Sequence, residues 1–150
     1  LSHAYDRPDE NLQYYDDEDC MNKLARLVDV YTMLAPYTKA LVAENAQKGI
    51  PVQRPMFLHN EDDQRCYELQ YQYLFGPDVL VAPVYQSEQT QWPVYLPQGE
   101  WVHLWTGKTY GQGEHTVPAG LGDIPVFYKK DSAYRPLFEQ IGRKHGTAGQ

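Results

Sequence analysis

Three consecutive carboxylates, Glu61, Asp62 and Asp63, directly follow a predicted strand at residues 50–60. A pair of carboxylates about 5 Å apart performs sugar hydrolysis with retention of configuration. In barrel folds, active-site groups gather just beyond the C-terminal ends of the strands. The other interpretation is an acidic turn that caps the next helix. We favour the cap, because sequence neighbours that point in alternating directions rarely converge on one ligand.

The tetrapeptide Thr106-Gly107-Lys108-Thr109 looks like the end of a phosphate-binding loop. Such a loop needs an earlier glycine at position 102, which is Val102, and a helix after the glycines. The flanking residues instead predict strands. We therefore expect a hairpin turn through residues 106–108 and no bound nucleotide.

Histidines and serines offer no local catalytic or metal-binding motif. The five histidines show neither HExxH nor HxxxH spacing, so the sequence does not predict a zinc site. No serine stands in a G-x-S-x-G nucleophile motif. We expect neither a metal nor an organic cofactor.

Charge and composition limit the partners. The net charge of −7 and the pI near 5.1 disfavour nucleic acid. No apolar run reaches the roughly 18 residues of a membrane span, so we expect no membrane partner. Cys20 and Cys66 are far apart and predict two free thiols. Cysteine usage and the absence of a leader favour the cytoplasm, although the chain begins without Met, like the middle of a longer protein, which leaves localisation open.

Helical periodicity covers residues 16–49. Pro36 starts a second helix or kinks the first, and Gly49 is a stop signal. The four acidic residues 16–19 are typical of a first helical turn rather than a metal site. Apolar residues at three- and four-residue steps define one face: Met21, Leu24, Ala25, Val28, Tyr31 and Leu34.

The pattern of predicted secondary structure changes near Asp78. Residues 50–60 predict a buried strand of an α/β unit that lacks its parallel neighbours, and residues 61–76 predict a short helix or turn. After residue 76, short β-rich runs recur about every ten residues, as in an antiparallel sandwich. The basic residues 143–145 in the Gly-rich end predict a frayed tail.

Several consecutive motifs resemble glycoside hydrolase family 31, the α-glucosidase-like retaining enzymes. They are GIPVQRPMFLHNEDD, YLFGPDVLVAPVY, WPVYLPQGEWVHLWTGKTYGQGE and IPVFYKKDS. HAYDRPDENLQ together with WVHLWTG is most similar to the sulfoquinovosidase branch, which cleaves α-glycosides of 6-sulfoquinovose. The resemblance implies a TIM (β/α)8 barrel followed by an antiparallel β-sandwich. The domains expected from it are the end of the barrel at 1–77, the sandwich at 78–135 and a C-terminal tail at 136–150.

The resemblance also implies a substrate contact and a mechanism. His3 matches the histidine of the family's Arg-x-His motif, which contacts the sugar, although Leu1 stands in place of the arginine. The catalytic residues of the family are a nucleophilic aspartate and an acid/base aspartate. Both lie upstream of the histidine, and no carboxylate here matches either. We expect these 150 residues to be inactive alone, as part of an enzyme that cleaves α-glycosides by double displacement without a cofactor.

The competing class is a non-catalytic carbohydrate-binding or structural β-sandwich. Trp92, Trp101, Trp105 and the tyrosines could stack on sugar rings. The alternation of Trp101, His103 and Trp105 favours an inward core or interdomain face instead.

Overall fold

The computed structural model describes residues 18–86, 89–120 and 123–146. The helices are α1 (Glu18–Met33), α2 (Ala35–Lys48), α3 (Gln64–Glu68) and α4 (Arg135–His145), with a 3-10 helix at Met56–His59. The first strands are β1 (Gln53–Pro55), β2 (Tyr73–Phe75), β3 (Val79–Val81) and β4 (Gln91–Leu96). The later strands are β5 (Trp101–His103), β6 (Thr109–Tyr110), β7 (Gly113–Pro118) and β8 (Val126–Lys129).

The strands form two antiparallel sheets. The larger sheet has the order β1-β2-β3-β8-β5-β6, and β4 pairs with β7 in a separate ribbon. The predicted antiparallel architecture is therefore confirmed. The barrel is not shown by the structure and stays a prediction.

Each face of the larger sheet is covered by a different layer. Leu74, Leu80 and Phe127 pack with Val94 and Val117 of the ribbon. On the opposite face, residues of β3, β5 and β8 pack against the helices, and the buried side chains are Val30, Tyr37, Leu41, Val79, Val102, Leu104, Trp105, Tyr128, Phe138 and Ile141. A sheet covered on both faces explains why β5 is buried along its whole length.

The helical stretch divides into α1 and α2 as Pro36 predicts, because proline is accommodated in the first turn of a helix. Gly49 ends α2 in a left-handed conformation with φ 70°, and its N–H donates to the carbonyl of Asn45 at 2.8 Å. Glu18 and Asp19 lie in the first turn of α1, as expected. On α1, Val28 is 58% exposed and the buried residue is Val30.

The predicted parallel strand is also corrected. β1 covers only Gln53–Pro55 and pairs antiparallel with β2. Strands β2 and β3 join across position 78, so the sheet continues through the expected boundary. The domain limits 1–77, 78–135 and 136–150 remain a prediction.

The basic residues 143–145 are helical rather than frayed. Phe138 and Ile141 bury one side of α4. In the last turn, Lys144 and His145 contact the carboxylate of Asp29 on α1. The distance from Lys144 Nζ to Asp29 Oδ2 is 2.7 Å. Within the part of the chain that the structure describes, no helix has the length and apolar character to cross a membrane.

Candidate functional site

The turn between the 3-10 helix and α3 carries the carboxylates that the sequence singles out. Residues 59–64, with Gln98 and Gln112, line a shallow recess of about 320 Å³, which we call the acidic recess. Its lining consists of carboxylates, amides and one histidine. These groups can donate and accept hydrogen bonds, which suits a ligand rich in hydroxyl groups.

Local hydrogen bonds fix this turn. The side chain of Asn60 donates to the carbonyl of Met56 at 2.8 Å, and its backbone N–H donates to the carbonyl of Phe57 at 3.0 Å. Asp63 is the N-cap of α3, because its Oδ1 accepts from the backbone N–H of Arg65 at 3.1 Å. The capping interpretation is thereby confirmed. The other oxygen of Asp63 accepts from the Tyr95 hydroxyl at 2.7 Å.

A buried arginine lies beside the acidic recess. Arg54 donates from Nη2 to Glu44 at 2.6 Å, from Nε to the Pro51 carbonyl at 2.8 Å, and from Nη1 to His59 Nε2 at 2.8 Å. A guanidinium only donates, so Nε2 of His59 accepts and the ring is neutral. Burial and then the positive charge of Arg54 lower the pKa of His59. The hydrogen bond from Arg54 lowers the pKa of Glu44.

A flat aromatic surface borders the same turn. The exposed rings of Phe57 and Tyr67 stack with centroids 5.0 Å apart and an interplanar angle of 5°. The Tyr67 hydroxyl donates to the carbonyl of Glu61 at 3.0 Å. The turn therefore places an aromatic face beside carboxylates, a combination that can hold a sugar ring.

Two carboxyls of the described residues have a lowered pKa. Hydrogen bonds from Lys144 and then His145 lower the pKa of Asp29, and a hydrogen bond from Arg54 lowers that of Glu44. A general acid of a glycosidase needs a raised pKa instead. Residues 18–86, 89–120 and 123–146 also contain no group of three or more His, Cys, Asp or Glu side chains that could hold a metal ion.

The other candidate residues separate into buried and undescribed groups. His3 lies outside the described residues, so its predicted sugar contact stays a prediction. Trp92, Trp101 and Trp105 are all buried and cannot serve as surface platforms.

Residues 106–108 turn between β5 and β6, and the Gly107 N–H donates to the His103 carbonyl at 2.8 Å, which confirms the hairpin turn. Cys20 and Cys66 are free thiols, as expected.

Sequence reasoning missed Arg54 and its partner Glu44. An arginine between Gln53 and Pro55 in a strand predicted to be buried is a signal that a charged partner must lie nearby. The identity of that partner depends on how α2 packs, which local patterns do not encode. The exposed pair of Tyr71 and Tyr85 likewise depends on packing between distant residues.

Comparison with known proteins gives consistent matches. Residues 49–133 match the family model of the glycosyl hydrolase family 31 C-terminal domain. A sulfoquinovosidase from Escherichia coli (strain K12) is 47% identical over 140 residues, and one from Agrobacterium fabrum is 49% identical over 142 residues. Each alignment covers 93% of this chain and 21% of the relative.

A solved structure extends the likeness to the fold. It is a GH31 family sulfoquinovosidase from E. rectale in complex with the aza-sugar inhibitor IFGSQ. The TM-score is 0.91 at 62% sequence identity, over 94% of this chain and 21% of that one. The chain thus spans about a fifth of the length of the relatives that it matches.

Proposed function

Because the chain belongs to glycosyl hydrolase family 31, we propose that it is the C-terminal part of a retaining α-glycoside hydrolase. The observation that carries this proposal is the match of residues 49–133 to the C-terminal domain of that family. The substrates that we propose are α-sulfoquinovosides, with α-glucosides as the alternative. Support for the sulfonated sugar comes from the 62% identity to a sulfoquinovosidase structure.

We assign the chemistry of the longer enzyme to two aspartates N-terminal to His3. One aspartate attacks the anomeric carbon, the other protonates the leaving oxygen, and water then hydrolyses the glycosyl–enzyme ester. No cofactor takes part in this scheme. His3 contacts the sugar, while the described residues support the barrel through the sheet and the ion pair of the buried Arg54 with Glu44.

Because both catalytic aspartates are assigned to the part N-terminal to His3, we predict that the 150-residue chain does not hydrolyse glycosides by itself. Among the described carboxylates, Asp63 is engaged as a helix cap and Glu44 in an ion pair with Arg54. Turnover of 4-nitrophenyl α-sulfoquinovoside and 4-nitrophenyl α-glucoside is the measurement, with an N-terminally extended protein as the control. We expect activity only from the extended protein, with an α-configured first product by NMR.

Two results would contradict the proposal. Hydrolysis by the 150-residue chain that is lost in Glu61→Gln or Asp62→Asn would place the chemistry within these residues. A β-configured first product from the extended protein would exclude the retaining mechanism.

A second candidate function is carbohydrate binding without catalysis. The observation in its favour is the exposed, stacked pair of Phe57 and Tyr67 beside the acidic recess. The buried tryptophans do not contribute to such a role. Saturable sugar binding by the chain that is lost in Tyr67→Ala would support it.

A further inference from the structure

Tyr71 and Tyr85 form a second pair of exposed aromatic rings. Tyr71 and Tyr85 are 56% and 59% exposed, and their ring centroids are 4.4 Å apart at an interplanar angle of 38°. Tyr85 also packs edge-on against the buried ring of Trp92, with centroids 4.9 Å apart. The tyrosine pair is therefore braced by the core while its rings remain open to solvent.

The two tyrosines and Trp92 line a recess of about 280 Å³ together with Arg65, Glu68 and Glu114, which we call the tyrosine recess. It shares no lining residue with the acidic recess, although Gln64 lines the acidic recess and its neighbour Arg65 the tyrosine recess.

Ion pairs fix the polar groups of the tyrosine recess. Arg65 donates to Glu68 at 2.9 Å and twice to one oxygen of Glu114, at 3.0 and 2.8 Å. These hydrogen bonds raise the pKa of Arg65. The amide of Gln72 is held at both ends by the backbone of Tyr95, at 2.8 and 2.9 Å. The recess thus combines open aromatic faces with oriented carboxylate oxygens.

We propose that the tyrosine recess is a second carbohydrate-binding site for a neutral oligosaccharide. One face of a hexose carries C–H groups that pack on the negative face of an aromatic ring, and its hydroxyls pair with carboxylates and amides. Glu68 and Glu114 disfavour an anionic ligand, and the charged lining disfavours a purely apolar one. That the ligand is a carbohydrate rests on the proposed function, and the tyrosine recess shares no lining residue with the acidic recess.

The test is titration of the 150-residue chain with isomaltotriose, followed by saturation-transfer NMR. We expect saturable binding with a millimolar dissociation constant, as is typical of a small open site. Tyr71→Ala and Tyr85→Ala should each weaken binding about tenfold by removing a stacking surface. Tyr85→Phe keeps the ring and should change binding less than about twofold.

The matched control is Tyr31→Ala on α1, which removes an even more exposed tyrosine that lines neither recess. It should bind isomaltotriose like the parent chain. Circular dichroism of every variant confirms that the fold is retained.

Absence of saturable binding overturns the proposal. So does binding that survives Tyr71→Ala and Tyr85→Ala but is lost in Tyr67→Ala, because that pattern places the sugar at the acidic recess. Inactivity of the extended protein contradicts the proposed function instead, since isomaltotriose binding is measured without turnover.

Discussion

His103 is a buried titratable group at the end of β5. Its Nδ1 lies 2.9 Å from the Thr106 hydroxyl, and its Nε2 is buried without a hydrogen-bond partner among the described residues. Its ring packs edge-on to Phe127, with centroids 5.0 Å apart. Burial lowers the pKa of His103 to about 4. The folded protein therefore keeps this imidazole neutral at a pH where the unfolded chain binds a proton.

This pKa shift predicts acid sensitivity of the fold. Between the usual histidine pKa of about 6.5 and the folded value, the unfolded chain binds more protons, so the free energy of unfolding falls as pH falls. The loss from His103 should be roughly 3 kcal/mol between pH 7 and pH 4. His103→Phe removes this titrating group, so the fall in the free energy of unfolding over this pH range should be smaller by that amount. Urea denaturation across this pH range is the measurement.

His115→Phe is the control, since His115 is partly exposed on β7 and its Nε2 lies 2.8 Å from the Gly111 carbonyl. This variant should keep the pH dependence of the parent chain. An identical dependence in His103→Phe and the parent chain would show that His103 is not responsible.

For single residues, the sequence correctly predicts the features that depend on their neighbours in the chain. The cap at Asp63 and the turn at Gly107 follow from residues only a few positions away. The Arg54–Glu44 pair and the low pKa of His103 depend on packing between distant elements. No local pattern encodes such contacts.

The turn between β2 and β3 is held tightly against α2. Gly76 has φ +66°, and a Cβ there would lie 2.3 Å from the Tyr37 hydroxyl and 2.6 Å from Leu41 Cδ2. The same Tyr37 hydroxyl donates to the Phe75 carbonyl at 2.8 Å and accepts from the Asp78 N–H at 3.2 Å. A side chain at position 76 would therefore disturb both the backbone and the docking of the helix.

Gly76→Ala should lower the free energy of unfolding by roughly 2–4 kcal/mol, from backbone strain and overpacking together. Gly107→Ala is a matched control, because Gly107 has φ +69° but a Cβ added there would meet no atom within 4 Å. Gly107→Ala should lower the free energy of unfolding by only about 1–2 kcal/mol, from backbone strain alone. Equal destabilisation of the two variants, measured in urea, would argue against steric conflict at position 76.

Among the elements, prediction succeeded where a strong local signal exists. Pro36 and Gly49 mark the start and end of α2, and the ten-residue spacing of β-rich runs indicates antiparallel strands. The prediction that β1 is a parallel strand was wrong, because the direction of pairing depends on which strand lies beside β1 in the fold. α4 was missed although Pro136 in its first turn and the spacing of Phe138 and Ile141 are helical signals.

Over the whole molecule, α1 leaves an unusual apolar surface. Polar contacts fasten this helix, since Arg26 pairs with Asp123, stacks over Trp105 at 4.5 Å and donates to the His145 carbonyl at 2.8 Å. The exposed apolar side chains are Met21, Leu24, Leu27, Val28 and Tyr31. Isolated exposed apolar residues are normal on a protein surface, but five on one helix form an apolar patch.

The chain should therefore bind a hydrophobic dye such as anilinonaphthalene sulfonate while folded. Val28→Lys should reduce dye fluorescence and change the free energy of unfolding by less than about 0.5 kcal/mol, since the side chain is exposed. Val30→Lys should do the opposite and raise fluorescence by loosening the core, because Val30 is buried. A folded parent chain without dye binding would contradict this prediction.

The position of β8 has a consequence for synthesis on the ribosome. β8 is the last strand in sequence among those described, yet it lies between β3 and β5 in the larger sheet. The hairpins of β1–β2–β3 and β5–β6 can form early, but they stay separate until Lys129 has been translated. Joining them requires contacts between distant segments, which form slowly. A ribosome that stalls before Val126 would leave β3 and β5 with open edges, the state most prone to aggregate.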